Sequence, residues 1–128
     1  LLVKQPRVCS GNFQIELVAG MLDDSDDFVG TAAKELEEET GITLNTSDLE
    51  YLGSAYASIG ATDEKLHFYH KTIDVDKIED TFSRITNSNI VHGTESEQIT
   101  LVHMPISEAI RTVPDTKLLS AITLIQYR

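Results

Sequence analysis

The chain has 128 residues, 41% of them hydrophobic, with 10 Lys and Arg against 21 Asp and Glu, for a net charge of −11. This length suits one domain, residues 1–128, with one core, and no apolar run approaches the ~20 residues that cross a bilayer. So acidic a surface argues against nonspecific nucleic-acid binding, which relies on Lys and Arg neutralising phosphates, so neither nucleic acid nor a membrane is the expected partner.

The elements follow in chain order. Leu1 to Gln5 and Phe13 to Val18 read as short buried strands. Leu1 already stands inside a strand-like run, which suggests that the natural chain starts earlier. Cys9 is the single cysteine; it admits no internal disulfide and fits a reducing compartment such as the cytoplasm, although an organelle stays open. A small loop or apolar role is expected for it. After a loop from Ala19 to Asp27, a helix is predicted from about Phe28 to Thr40. Asp26 or Asp27 would be its N-cap and Gly41 its stop. Leu49 to Tyr56 reads as a strand, Ala57 to Glu64 as a loop and Leu66 to Ile73 as another strand. Asp74 to Asn89 is ambiguous, with room for a short helix. Gln98 to His103 is a further strand and Ser107 to Thr112 a short helix. A final helix starts near Asp115 behind Pro114, with Leu118, Leu119, Ile122 and Ile125 as its apolar stripe. Interleaved strands and helices without regular βαβ repetition predict an α/β (α+β) fold, a mixed β-sheet with helices on both faces.

The most informative stretch is GMLDDSDDFVGTAAKELEEETGI, residues 20 to 42. On a helix, Glu35, Glu38 and Glu39 fall at i, i+3 and i+4 and share one face. Val29, Ala33, Leu36 and Thr40 lie on the other side, able to meet a core. Like charges at that spacing repel. An acidic run is ordinarily a solvated surface, but this one has the donors that a hard divalent cation takes, a few carboxylates completed by substrate phosphates. His67 and His70 do not suggest a second metal site. Residues three apart on a strand point to opposite faces, and His92 and His103 offer no ligand spacing either.

The stretch resembles the Nudix box, G-x5-E-x7-R-E-U-x-E-E-x-G-U with U aliphatic. Gly20, Glu35, Leu36, Glu38, Glu39, Gly41 and Ile42 match. Asp26 stands at the first Glu position and Lys34 at the Arg position, both with the charge sign kept. Three further segments are similar to the ADP-ribose and nucleotide-sugar pyrophosphatase subgroup. Val3-Lys4-Gln5-Pro6-Arg7 is similar to V-x-Q-x-R, and Glu16-Leu17-Val18-Ala19-Gly20-Met21 to E-x-x-A-G-M. Ser58-Ile59-Gly60-Ala61-Thr62-Asp63-Glu64 is close to S-P-G-x-S/T-x-E, with Ile59 at the proline.

This resemblance implies an α/β/α sandwich and Mg²⁺-dependent hydrolysis of the pyrophosphate bond in ADP-ribose or a related ADP- or UDP-sugar. The products would be a nucleoside monophosphate and a sugar phosphate. Mn²⁺ is the expected substitute cofactor, and a homodimer is the expected state of the full protein. The implied metal ligands are Glu35, Glu39, Glu38 and the carbonyl of Ala19, with Gly20 allowing a tight turn against the helix. Lys34 would make a point contact where an Arg makes a planar fork. Arg7 becomes a candidate for the substrate diphosphate and Glu16 for the nucleoside, with Gly20 and Glu64 beside them. The plainer roles are a surface ion pair for Arg7 and a buried structural carboxylate for Glu16. For the base that activates water, Glu97 matches the family position two residues before Ile99, Glu95 is the backup and Glu64 a third possibility. The alternatives are a Nudix hydrolase for another nucleotide, a Nudix-fold binding module with impaired catalysis, and a plain acidic interaction domain.

Overall fold

Leu2 and Val3 are adjacent, and both are buried, because alternate residues of a strand point to opposite faces. In the computed structural model, which describes residues 1–86 and 98–128, both faces of this strand are therefore covered. The strand, β1 (Leu2–Arg7), turns through a 3₁₀ segment at Val8–Ser10 into β2 (Asn12–Glu16). β1 is central to a three-stranded sheet ordered β2-β1-β5, where β5 is Thr100–Val102. The register sets Val3 opposite Glu16 on one side and Leu101 on the other.

On one face, Leu2 packs with Ala109, Val113 and Leu118, and with the partly buried Ile15, Leu17, Val102 and Ile122. Ala109 belongs to α3 (Ile106–Thr112) and Leu118 to α4 (Thr116–Gln126). On the other face, Val3 packs with Ile99, Leu101 and Val18. Burying side chains of this size stabilises by about 1.5–3 kcal/mol each.

A second sheet pairs β3 (Glu50–Tyr56) with β4 (Lys65–His70). Its register passes from Tyr51↔Tyr69 to Gly53↔Phe68, so Leu52 is the extra residue of a bulge. Helix α4 packs on both strands of this ribbon. Helix α1 (Phe28–Thr40) packs on β4, and the Phe28 ring lies 4.1 Å from that of His67. Helix α2 (Glu79–Thr86) follows a 3₁₀ turn at Val75–Ile78.

The α/β class and the order of elements are as the sequence predicts. Among the described residues, however, every strand pairing is antiparallel, whereas a mixed sheet was expected. β4 ends at His70 and β5 spans only Thr100–Val102, both shorter than their apolar runs. Cys9 is exposed within the first 3₁₀ turn, a turn residue rather than an apolar one.

Candidate active site

Helix α1 begins and ends as its sequence dictates. Asp27 is the N-cap, its Oδ1 accepting from the backbone N–H of Gly30 at 2.9 Å. Asp26, the other candidate cap, takes a positive φ of 54° just before it. Gly41 closes the helix at φ 75°, and its N–H donates to the carbonyl of Glu37 at 2.8 Å. Thr40 is fully buried, and its hydroxyl donates to the Leu36 carbonyl.

The three glutamates have separate environments. Glu35 is half-buried and lies against Gly20 so closely that a Cβ on Gly20 would overlap its side chain. The loop before the helix and the helix itself therefore meet at the box glycine, with Ala19 as its neighbour. Glu38 is exposed, and its carboxylate is 3.8 Å from Lys34 Nζ, one turn back. Glu39 is only 4% exposed. A single exposed row of carboxylates does not describe this face, because Glu39 is buried while Glu38 is exposed.

A network of four charges joins β1, β2 and the start of α4. Arg7 donates twice to Glu16, Nε to Oε2 at 2.7 Å and Nη2 to Oε1 at 3.0 Å. Lys117 Nζ donates to Glu16 Oε1 at 3.3 Å and lies 3.1 Å from Asp115 Oδ1. Asp115 also accepts from the backbone N–H groups of Leu17, at 2.7 Å, and Lys117, at 3.1 Å. Burial works against the charged form of Glu16, yet the Arg7 hydrogen bond and the charges of Arg7 and Lys117 outweigh it. They hold its pKa below the usual carboxylate range. The Glu16 hydrogen bond raises the already high pKa of Arg7 against the effect of burial, and the charges of Glu16, Glu39 and Asp115 add to it. Glu39 is thus in electrostatic reach of Arg7.

The expected site residues separate as follows. Arg7 and Glu16 do come together, as each other's partners, and Glu39 acts electrostatically on Arg7. Glu35 and Gly20 come together at the loop. Glu64 is exposed on the β3–β4 loop, its N–H donating to Thr62 Oγ1 at 3.2 Å. Glu95 and Glu97 lie outside the described residues, as does His92. Asp115 and Lys117 were not foreseen as site residues. Pro114 marked a helix start there, but no local signal ties Lys117 to Glu16, 101 residues away.

Arg7, Gln14, Glu16, Pro114 and Asp115 line an open cleft of about 520 Å³. A larger cleft of about 730 Å³ lies between residues 41–44 and 71–81, and neither cleft is lined by Glu35, Glu38 or Glu39. The chemistry favours the smaller one, where charges of both signs are already organised.

The residue types along this helix are ones a hard divalent cation accepts. Glu35 and Glu39 would supply carboxylate oxygens to such an ion, and Ala19, next to the Gly20 that meets Glu35, would supply a carbonyl. Among the described residues, no three His, Cys, Asp or Glu side chains are already grouped to hold an ion. Glu38 lies 3.8 Å from Lys34 Nζ and is exposed.

The chain thus joins a glutamate-bearing helix to a glycine loop within an α/β fold. Residues 1–118 match the NUDIX domain, and the chain belongs to that family, whose members use divalent metal ions. It is 33% identical over 98% of its length to Nudix hydrolase 14, chloroplastic, of Arabidopsis thaliana, covering 43% of that protein. It is 32% identical to a GDP-mannose pyrophosphatase of Cronobacter sakazakii, over 88% of this chain and 56% of the relative. A GDP-mannose pyrophosphatase of Yersinia enterocolitica is 30% identical over 99% of this chain and 64% of its own length. The chain thus spans roughly half of the curated relatives it matches. Among the described residues, no helix is long and apolar enough to cross a membrane.

Proposed function

We propose that this protein is an enzyme that hydrolyses the pyrophosphate bond of a nucleotide sugar, releasing a nucleoside monophosphate and a sugar phosphate. The subgroup resemblance points to ADP-ribose, giving AMP and ribose 5-phosphate, or to an ADP- or UDP-sugar. The GDP-mannose pyrophosphatases among the relatives bring GDP-mannose into the same class of candidates. The observation that carries this reading is the packing of Glu35 on Gly20 with Glu39 buried one turn further along the same helix.

In this reading Glu35, Glu39 and the Ala19 carbonyl hold Mg²⁺, or Mn²⁺ in its place, and Glu38 joins them by leaving Lys34. The bound ion would neutralise charge on the phosphate oxygens. Arg7 meets the substrate diphosphate, since a guanidinium pairs with phosphate in a fork. Glu16 has three of its roughly four acceptor positions taken and keeps one for a nucleoside hydroxyl. Gly20 and Glu64 border the substrate. Glu97 takes the proton of the attacking water, with Glu95 as the second candidate. We further propose a cytoplasmic location, with an organelle as the alternative, and a homodimer as the state of the full-length form.

The Lys34–Glu38 pair favours one other reading, a Nudix-fold binding module in which Glu38 never reaches the metal. Incubation with Mg²⁺ and ADP-ribose, UDP-glucose or GDP-mannose, with products identified by chromatography, separates the two. A nucleoside monophosphate and a sugar phosphate from at least one substrate are expected. Tight binding without products would favour the module.

A further inference from the structure

We infer that Lys117 and Asp115 are positioning residues for Arg7, acting through Glu16, and that they set how tightly the site takes a substrate diphosphate. The inference rests on the role given to Arg7 above.

The chain of contacts has a fixed end and an open end. At the fixed end, Asp115 is 7% exposed in its side chain and is tied to the backbone through both oxygens. Oδ1 caps the start of α4 at Lys117 N–H, and Oδ2 accepts from Leu17, the residue that follows Glu16 and ends the pairing of β2. Asp115 therefore locks α4 to β2 at the point where Glu16 emerges. Its charge holds Lys117 Nζ at 3.1 Å, and Lys117 in turn holds Glu16 Oε1 at 3.3 Å. Glu16 then grips Arg7 through two nitrogens. The signs alternate along the series, so each member is held by an opposite charge.

Two features indicate more than structural bracing. A buried ion-pair network is a poor source of stability, because desolvation offsets much of the attraction. Such a network is better explained when its outer member has work to do. Here that member is Arg7, with a side chain 49% exposed while Glu16 is 11% and Lys117 23% exposed. Arg7 lines the open cleft together with Glu16 and Asp115. Glu16 uses only the Nε and Nη2 edge, so Nη1 carries two further N–H donors in a plane already fixed. A preset guanidinium loses less rotational freedom when it meets phosphate oxygens. Without Lys117, Glu16 loses its second cation and can rotate, and the plane of Arg7 goes with it.

The test uses Lys117→Met and Lys117→Arg in the full chain, read by two independent measurements. In ¹⁵N NMR, the Arg7 Nε–H should give a resolved, slowly exchanging signal in the parent. It should be lost in Lys117→Met while the backbone amide spectrum persists, and recover in Lys117→Arg. In kinetics on the preferred nucleotide sugar, Lys117→Met should raise KM about tenfold with kcat changed by less than about threefold, and Lys117→Arg should fall between. Should Lys117→Met fail to fold, Asp115→Asn removes the charge that holds Lys117 and is read the same way. An unchanged Arg7 Nε–H signal, or a lowered melting temperature with unchanged KM, would overturn the inference and leave Lys117 a structural ion pair. If the parent turns over no nucleotide sugar, the functional reading fails, and the NMR arm still decides whether Lys117 positions Arg7.

Discussion

Gly20 has no room for a side chain, because a Cβ there would enter the space of Glu35. Gly20→Ala should therefore push Glu35 out of place and slow turnover at least tenfold, since misplacement of about 1 Å in a site can cost about 10²-fold. Steady-state kinetics with a thermal melt would check this; a normal rate would show that Glu35 can rotate away without loss. Glu97→Gln should lower turnover by about 10²- to 10⁴-fold, the usual contribution of a general base, while nucleotide and metal binding persist in calorimetry. Glu95→Gln should lose much less. A crippled Glu95→Gln beside a mild Glu97→Gln would reverse the two roles, and neither slowing tenfold would move the base elsewhere, with Glu64 next in line. At this scale the sequence reveals residue types and spacing but not partners. Glu35, Glu38 and Glu39 read as one row, yet Glu39 is buried and Glu38 turns to Lys34. The Arg7–Glu16 pair needs the β1–β2 hairpin to form, and Lys117 needs the whole fold.

Helix α1 was legible almost to the residue because its signals are local. Asp27 binds the N–H of Gly30, three residues on, and Gly41 supplies the left-handed stop. Gly41→Ala should destabilise the protein by about 1 kcal/mol or more, as an L side chain is strained at φ 75°. A urea titration measures this, and an unchanged midpoint would mean that the helix end relaxes freely. The final helix was equally readable from Pro114 and Asp115, where Asp115 accepts from Lys117 N–H. Strand ends were less so, because pairing rather than apolar content sets them. The bulge at Leu52 is marked by Gly53, at φ 139°, but the pairing of β1 with β5 joins strands far apart in the chain.

For the molecule as a whole, acid should weaken the fold in a defined window. Glu16 has a depressed pKa when folded, so the unfolded chain takes up its proton first as pH falls. The stability it contributes is complete well above the unfolded carboxylate value of about 4.3 and is lost as pH drops through the lower folded value. Asp23 and Asp48 are also depressed, by hydrogen bonds from Ser25 and from the Asn45 backbone with Lys71, and share this window. Melting temperatures between pH 3 and 7 should therefore fall on the acid side, and Glu16→Gln should flatten that slope without abolishing it. An unaltered slope would mean that Glu16 titrates alike in both states. The central claim is that the α1 carboxylates hold a divalent ion against the diphosphate of a nucleotide sugar. Its most direct test is the rate of nucleoside monophosphate release against Mg²⁺ concentration, for the parent and Glu39→Gln side by side. The parent should show saturable dependence on Mg²⁺ and Glu39→Gln should lose most activity, with a melting temperature equal to or above the parent's without metal. Near-normal turnover of Glu39→Gln at saturating Mg²⁺, or parent turnover indifferent to Mg²⁺, would contradict it.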